Sequence, residues 1–370
     1  MKIIFIFASV SILSFLFLSC PVYSQEKVGQ TRVIQEWGYN NVGTKGWGIG
    51  GAFVGQADDI SAFFWNPAGL TQLEKTNIYT EFFFKAKHKF YDLGFSSKSI
   101  QIQVLQLGYK YKRFAFSLGY TKSYNLSFDG YLVETSYFHP LDEEPYGNHQ
   151  IKFKTNDSVN QYNFTCAFQL NKNISLGTTI FYNHYKFSDE FDGDWLTRKG
   201  NSFSTIFGIL LRANNYIRCG LSIMPQSRVG WEYSHNGYAF EPNEDRFPTR
   251  LRFGLSVSPL YAFNINFDIQ TTFWDAVYNY LDDKTDFYFG MEKKINSNFY
   301  LRTGAYTKLA IHDDSWYDDS YFLTLGFGLS INPININLSL QDNQILSRLI
   351  KGREIELEQT FIIASVNYNF

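Results

Sequence analysis

The chain has 370 residues, and its 33 Lys and Arg nearly balance 35 Asp and Glu, for a formal charge of −2. That balance leaves no electrostatic footprint for nucleic acid. The length admits two soluble domains or one large barrel; abundant Phe and Tyr (37 and 26) in a chain of slightly polar mean hydropathy favour a barrel, in which lipid-facing and lumen-facing residues alternate.

Residues 1–24 read as a cleavable secretory leader: Lys2, an apolar run from Ile3 to Leu18, then Val22-Tyr23-Ser24 before a mature start near Gln25. A rival reading places a lipidated N-terminus at Cys20, after Phe-Leu-Ser. The other cysteines, Cys166 and Cys219, fall on expected lipid-facing positions far apart in sequence, and read as small apolar wall residues rather than a disulfide.

From Gln25 to Thr76 no strand or helix period persists. Gly43, Gly46, Gly48, Gly50, Gly51 and Gly55 weaken regular structure, yet Trp37, Trp47, Phe53, Phe63, Phe64 and Trp65 demand burial. The expectation is a plug, 25–76, inside the lumen of the barrel that follows.

Beyond Asn77 period-2 segments recur at about 77–90, 99–111, 114–128, 157–170, 173–188, 200–212, 216–234, 250–258, 261–274, 284–295, 298–308, 320–331, 334–343 and 356–370. That predicts an all-β fold, a transmembrane antiparallel barrel of 14 strands over 77–370. The linkers sort into tight turns (Lys112-Arg113, Asn171-Lys172, 213–215, Pro259-Leu260, Asn296-Ser297, Asn332-Pro333) and longer polar loops (91–98, 129–156, 189–199, 235–249, 275–283, 309–319, 344–355). Short turns on one side and long loops on the other are the mark of an outer-membrane barrel.

The faces follow from alternation. In the third strand Phe114, Phe116, Leu118, Tyr120, Tyr124 and Leu126 are expected to face lipid; in the thirteenth, Ile334, Ile336, Leu338 and Leu340; in the ninth, Phe263, Ile265, Phe267 and Ile269. The second strand changes parity between Ile100, Ile102, Val104 and Leu105, Leu107, Tyr109, Tyr111, so a one-residue bulge is expected near Val104-Leu105. It is a candidate wall irregularity, with Gly119 in the next strand a second. Expected lumen charges are Glu81, Lys85, Lys110, Arg218, Arg250, Arg252, Asp268, Glu292 and Arg302, with Asp58 and Asp59 of the plug as partners for the arginines. Inward Leu357, Phe361 and Ile363 are apolar where a water pore would be polar; they suit either a greasy ligand pocket or packing against the plug.

No GxSxG, HExxH, CxxC, Walker or Rossmann glycine pattern occurs, and the six His (His88, His139, His149, His184, His235, His312) place no nucleophile–His pair on adjacent strands. The expectation is a non-enzyme with no cofactor. Asp142-Glu143-Glu144, Asp313-Asp314 and Asp318-Asp319 read as solvated acidic loops rather than metal sites.

The ordered set Gly50-Gly51-Ala52-Phe53, Ala57-Asp58-Asp59 and Asn66-Pro67-Ala68-Gly69-Leu70, directly after a secretory leader, resembles the N-terminal plug of the FadL family of outer-membrane transporters. The closing pattern Ile362, Ala364, Val366, Tyr368, Phe370 resembles the C-terminal signal read by the barrel-assembly machinery. The resemblance implies a monomer in outer-membrane lipids, passively admitting a hydrophobic small molecule such as a fatty acid or aromatic hydrocarbon. Asp58, Asp59 and the segment Asn66, Pro67, Ala68 would then belong to the plug and its gate. Two other readings remain at this point: an accessory partner of secretion or surface assembly, and a polar porin.

Overall fold

A computed structural model describes residues 42–74, 76–90, 93–95, 101–134, 149–191, 193–239, 243–260, 262–279, 281–309, 319–352 and 357–370. The expected leader, the first part of the expected plug (25–41), Ile100 and the acidic runs 142–144, 313–314 and 318 lie outside the described residues.

Eighteen strand segments form one antiparallel sheet: β1 (Asn77–Phe90), β2 (Leu93–Phe95), β3 (Gln101–Tyr111), β4 (Phe114–Glu134), β5 (His149–Gln169), β6 (Ile174–Phe191), β7 (Asp194–Arg212), β8 (Ile217–Met224), β9 (Ser227–His235), β10 (Tyr238–Ala239), β11 (Asn243–Phe247), β12 (Arg250–Leu260), β13 (Phe263–Thr272), β14 (Lys284–Lys294), β15 (Phe299–Lys308), β16 (Ser320–Ile331), β17 (Ile334–Asp342) and β18 (Leu357–Asn369). β1 pairs with β18 from Asn77↔Asn369 to Phe90↔Leu357, so the sheet closes on itself. Fourteen strands make the wall, because β8 with β9, and β11 with β12, are each one wall strand in two pieces. The short β2 and β10 are additions on the loop side.

Alternation sets the wall's two faces. Ile334, Ile336, Leu338 and Leu340 of β17 are exposed outward, while Ser339 and Gln341 are buried inside. On the outer face Leu118, Phe164, Ile180, Phe253, Phe287, Leu301 and Phe327 continue an apolar belt around the ring. Cys166 and Cys219 are half-buried free thiols in the wall.

Four expectations need correction. The bulge in β3 lies at Gln103, since Glu81 faces Val104 and Phe82 faces Ile102; Ile102 and Leu105 are outward as expected, but Val104 is fully buried inside. A second bulge, between Lys122 and Tyr124 of β4, turns Tyr124 into the lumen. The loop expected at 189–199 is instead a hairpin, with Phe191 paired to Asp194. Gly119 opens no gap: it faces Gln106 in a continuous ladder, and a Cβ there would collide with the Gln106 side chain.

The segment 42–74 is enclosed by this ring and is almost wholly buried. It holds two short helices, α1 (Thr44–Gly48) and α2 (Ala62–Trp65), and a 3-10 turn over Pro67–Gln72. A further helix, α3 (Gln344–Lys351), joins β17 to β18.

Candidate functional site

The inner segment approaches the wall most closely at a set of wall glycines. A Cβ on Gly177 or Gly208 would overlap Pro67, on Gly220 Val54, on Gly290 Ile49, on Gly304 Gly50, and on Gly326 Gly48. Those glycines lie on β6, β7, β8, β14, β15 and β16, so the close approach runs along two arcs of the ring. The aromatic residues of the segment complete the seal: Trp47 packs edge-on to Trp65 at 5.2 Å and against Tyr306 at 5.0 Å, and Tyr306 stacks on Phe322 at 4.5 Å.

Polar anchoring runs from wall carboxylates to the segment's main chain. Glu81 accepts from the N–H of Gly43 at 3.0 Å, the N–H of Thr44 at 2.7 Å and the Thr44 hydroxyl at 2.9 Å. Asp268 accepts from the N–H groups of Phe53 and Val54, both at 2.9 Å. Glu292 accepts from Gln56 Nε2 at 2.9 Å and pairs with Arg302 at 2.6 Å. A short segment with few regular backbone bonds must find acceptors elsewhere, and buried carboxylates supply them.

The expected pairing of Asp58 and Asp59 with the inward arginines is therefore not what forms. Asp58 pairs with Lys45 of its own segment at 2.8 Å, and Asp59 accepts from the Ser61 N–H at 2.8 Å. The arginines find other acceptors: Arg302 binds Glu292 of the wall, Arg252 lies 3.2 Å from Asp268 while also donating to the Gly51 carbonyl of the segment, and Arg218 donates to the Gln72 side chain at 3.0 Å. Burial pushes the Asp59 carboxyl above its ordinary pKa.

Asn66 is the joint of the Asn66-Pro67-Ala68 motif. Its amide donates to the carbonyls of Val54 and of Ile209 on β7, both at 3.0 Å, and its side-chain oxygen accepts the Ala68 N–H at 3.2 Å. Phe361 and Ile363 are buried in the apolar cluster shared by the inner segment and the wall, Phe361 lying 5.8 Å from Phe83 and 6.3 Å from Phe322. Leu357 opens β18, and its side chain is not among those described.

Two hollows flank the segment. The smaller, about 50 Å³, is walled by Trp47, Phe64, Trp65, Ile206, Met224 and Tyr288, with Ser222, Arg250, Arg252 and Gln270 as its polar side. Arg252 stacks on two of its aromatics, 3.9 Å from the Tyr288 ring centre and 4.7 Å from that of Trp65. The larger, about 530 Å³, opens at the turn end among Lys45, Asp58, Asp59, Glu292, Arg302 and a group of asparagines that includes Asn332, Asn335 and Asn337. One side of the segment is thus aromatic and the other polar. On the loop side of the small hollow an aromatic cluster, Tyr124, Tyr185, Phe187, Trp231 and Phe247, fills the lumen between β4 and β11.

The wall is interrupted beside the small hollow. Ladder pairing between β7 and its neighbour runs from Arg212↔Arg218 to Phe207↔Ile223 and resumes only at Asn201↔Gly230. Residues 202–206 of β7 consequently face 224–229 without ladder pairs. The cause lies in Pro225 and Pro248, which split β8 from β9 and β11 from β12 at one height; Pro225 lacks the donor a ladder requires. Ile206 and Met224 border both the interruption and the hollow, and Phe203 on the outer face is 68 % exposed. The single strand expected over 216–234 is thus two, and Pro225 within it is the residue that marks the break.

No family model and no curated protein matches this chain. Solved structures do. The toluene transporter TodX of Pseudomonas putida aligns with a TM-score of 0.64 at 13% identity, over 90% of this chain and 98% of its own. The Ralstonia pickettii toluene transporter TbuX gives 0.64 at 13%, over 89% and 98%. A Pseudomonas aeruginosa FadL homologue gives 0.57 at 14%, over 89% and 98%. At these identities the likeness is one of fold, and it extends along nearly the whole of both chains.

Proposed function

We propose that the chain is a bacterial outer-membrane channel that admits small hydrophobic molecules, of the monoaromatic or fatty-acid class, without energy coupling or catalysis. The reading rests on one observation above others: an aromatic hollow lies between the inner segment and the wall at the place where the wall's ladder is interrupted. Similarity of fold to two toluene transporters and a FadL homologue supports it.

The inner segment acts as a plug, and the leader expected at 1–24 directs the chain into export. An apolar molecule arriving from the loop end meets Tyr185, Trp231 and Phe247, then the hollow floored by Trp47 and Trp65. Onward passage down the axis leads into the polar cavity among Lys45, Asp58 and Arg302, which an apolar solute enters unfavourably. The gap between β7 and β8–β9 leads to bilayer. Asn66 is tied to Ile209, three residues from the unpaired stretch, so movement of Asn66-Pro67-Ala68 and opening of the gap are coupled through β7. Phe361 and Ile363 support the plug from the opposite wall.

Liposomes containing the purified chain test this. Uptake of labelled toluene or fatty acid with sugars excluded supports the proposal. Entry of sugars assigns a polar porin, and entry of neither assigns an accessory role.

A further inference from the structure

The helix α3 is eight residues long, QILSRLIK, and follows β17 directly. Asp342 accepts from the N–H groups of Gln344 at 2.9 Å and Ile345 at 3.2 Å, which starts the helix where the strand stops. Ser347 fixes its orientation. It is fully buried, accepts the Tyr321 N–H at 2.8 Å and donates to the Tyr321 carbonyl at 3.2 Å, so α3 takes the place beside β16 that more of β17 would have filled. On the other side Asn343 and Gln359 of β18 exchange two hydrogen bonds, Gln359 N–H to Asn343 Oδ1 at 2.7 Å and Asn343 N–H to the Gln359 carbonyl at 3.1 Å. The helix therefore sits in the wall, not above it.

Ile345 and Leu349 are four apart and project away from Ser347. They are 63 % and 78 % exposed, and Ile350 beside them is 53 % exposed. Immediately below, Leu340, Leu338 and Ile336 carry the outward apolar stripe of β17, so the exposed face of α3 continues the lipid-facing belt. β17 has nine residues, about the length that crosses the apolar layer as a tilted strand. That places α3 at headgroup level, and its last turn carries Arg348 and Lys351.

We propose that α3 is an interfacial helix, with Ile345, Leu349 and Ile350 set into the acyl–headgroup boundary of the loop-side leaflet. It fixes the height of the barrel in the membrane and holds the β17–β18 connection down. The inference rests on the barrel spanning a bilayer, and its test separates the two claims.

The full mature chain lacking Cys166 and Cys219 is refolded into phospholipid vesicles with a nitroxide label at Leu349→Cys, at the wall control Leu338→Cys or at the turn control Lys172→Cys. Collision rates with dissolved oxygen, which concentrates in lipid, and with a water-soluble nickel chelate are then compared. The proposal expects an oxygen-to-nickel ratio at position 349 several-fold above that at 172 and approaching that at 338. A nickel-dominated signal at 349 places the helix in water and overturns it. Low collision with both reagents means that protein covers the face, and overturns it equally. Should position 338 itself be nickel-dominated, the membrane wall fails and not merely the helix.

Discussion

Glu81 accepts the backbone N–H of Thr44 at 2.7 Å, across 37 residues of sequence, and this bond ties the start of the enclosed segment to the first wall strand. The carboxylate is fully buried and also accepts from the Gly43 N–H and the Tyr79 hydroxyl. Glu81→Ala leaves the Gly43 N–H without its acceptor and the Thr44 N–H with only the long contact to the Tyr79 hydroxyl at 3.4 Å, a loss of about 1–3 kcal/mol for each buried donor left unpaired. Glu81→Gln keeps one acceptor oxygen and falls between the variant and the parent. Urea midpoints of the refolded barrel, read from its heat-modifiable gel migration, rank the three. An alanine variant as stable as the parent contradicts the tether.

Gly290 and Ile49 make the tightest kind of contact in the lumen, main chain against main chain. A side chain at 290 would overlap the Ile49 carbonyl, and neither backbone has a rotamer to yield. Gly290→Val is expected to fold as a barrel yet displace the segment, a strain of about 1–3 kcal/mol or more. Limited proteolysis reads it: cleavage within residues 42–74 rises while the wall stays resistant.

On β17 the two faces separate by one residue. Leu338→Arg puts a cation on the outer belt and destabilises by about 2–4 kcal/mol near the midplane. Asn335→Arg, which opens on the polar cavity, is expected to change stability much less. Asn337 is the poorer control because it already accepts from Arg302 at 2.9 Å. Equal urea midpoints for the two variants contradict the face assignment.

These tests also show how far the sequence reaches. Period-2 alternation fixes which side of β13, β17 and β18 meets lipid, because in a barrel wall parity and environment are the same variable. Tyr124 and Val104 were misplaced, since a bulge changes parity without leaving a residue type that announces it. The carboxylate anchors were only half legible. Glu81, Asp268 and Glu292 stand out as inward acids, but their partners are main-chain N–H groups and an amide, present in every sequence. Asp58 and Asp59 suggested the opposite polarity because oppositely charged side chains are the only pairs that composition displays. The interruption at Pro225 and Pro248 needed register, as only two prolines at one height weaken two adjacent ladders together. Likewise α3 went unread, an eight-residue helix being too short for its period to stand out in a polar loop.

Asp59 gives a pH dependence. Its raised pKa means that the folded state favours the protonated acid, so its contribution to stability is full below the ordinary carboxylate pKa and is lost as pH rises through the shifted value. Asp59→Asn keeps the acceptor for Ser61 N–H without the buried charge. From pH 5 to pH 8 the urea midpoint of the parent should fall relative to that of the variant. A constant difference between the two removes Asp59 from the account.

The central claim is that apolar molecules pass through the hollow and leave at the unpaired wall between β7 and β8–β9. Its most direct test is toluene uptake by vesicles holding the chain with Thr205→Cys and Gln226→Cys, in a background lacking Cys166 and Cys219, before and after a short thiol-specific crosslinker spans the gap. The account predicts rapid uptake in the open form, a loss of about tenfold or more on bridging (on the order of 1.4 kcal/mol or more in barrier), recovery when a cleavable bridge is reduced, and exclusion of sugars throughout. Undiminished toluene entry through the bridged barrel, or sugar entering as fast as toluene, contradicts it.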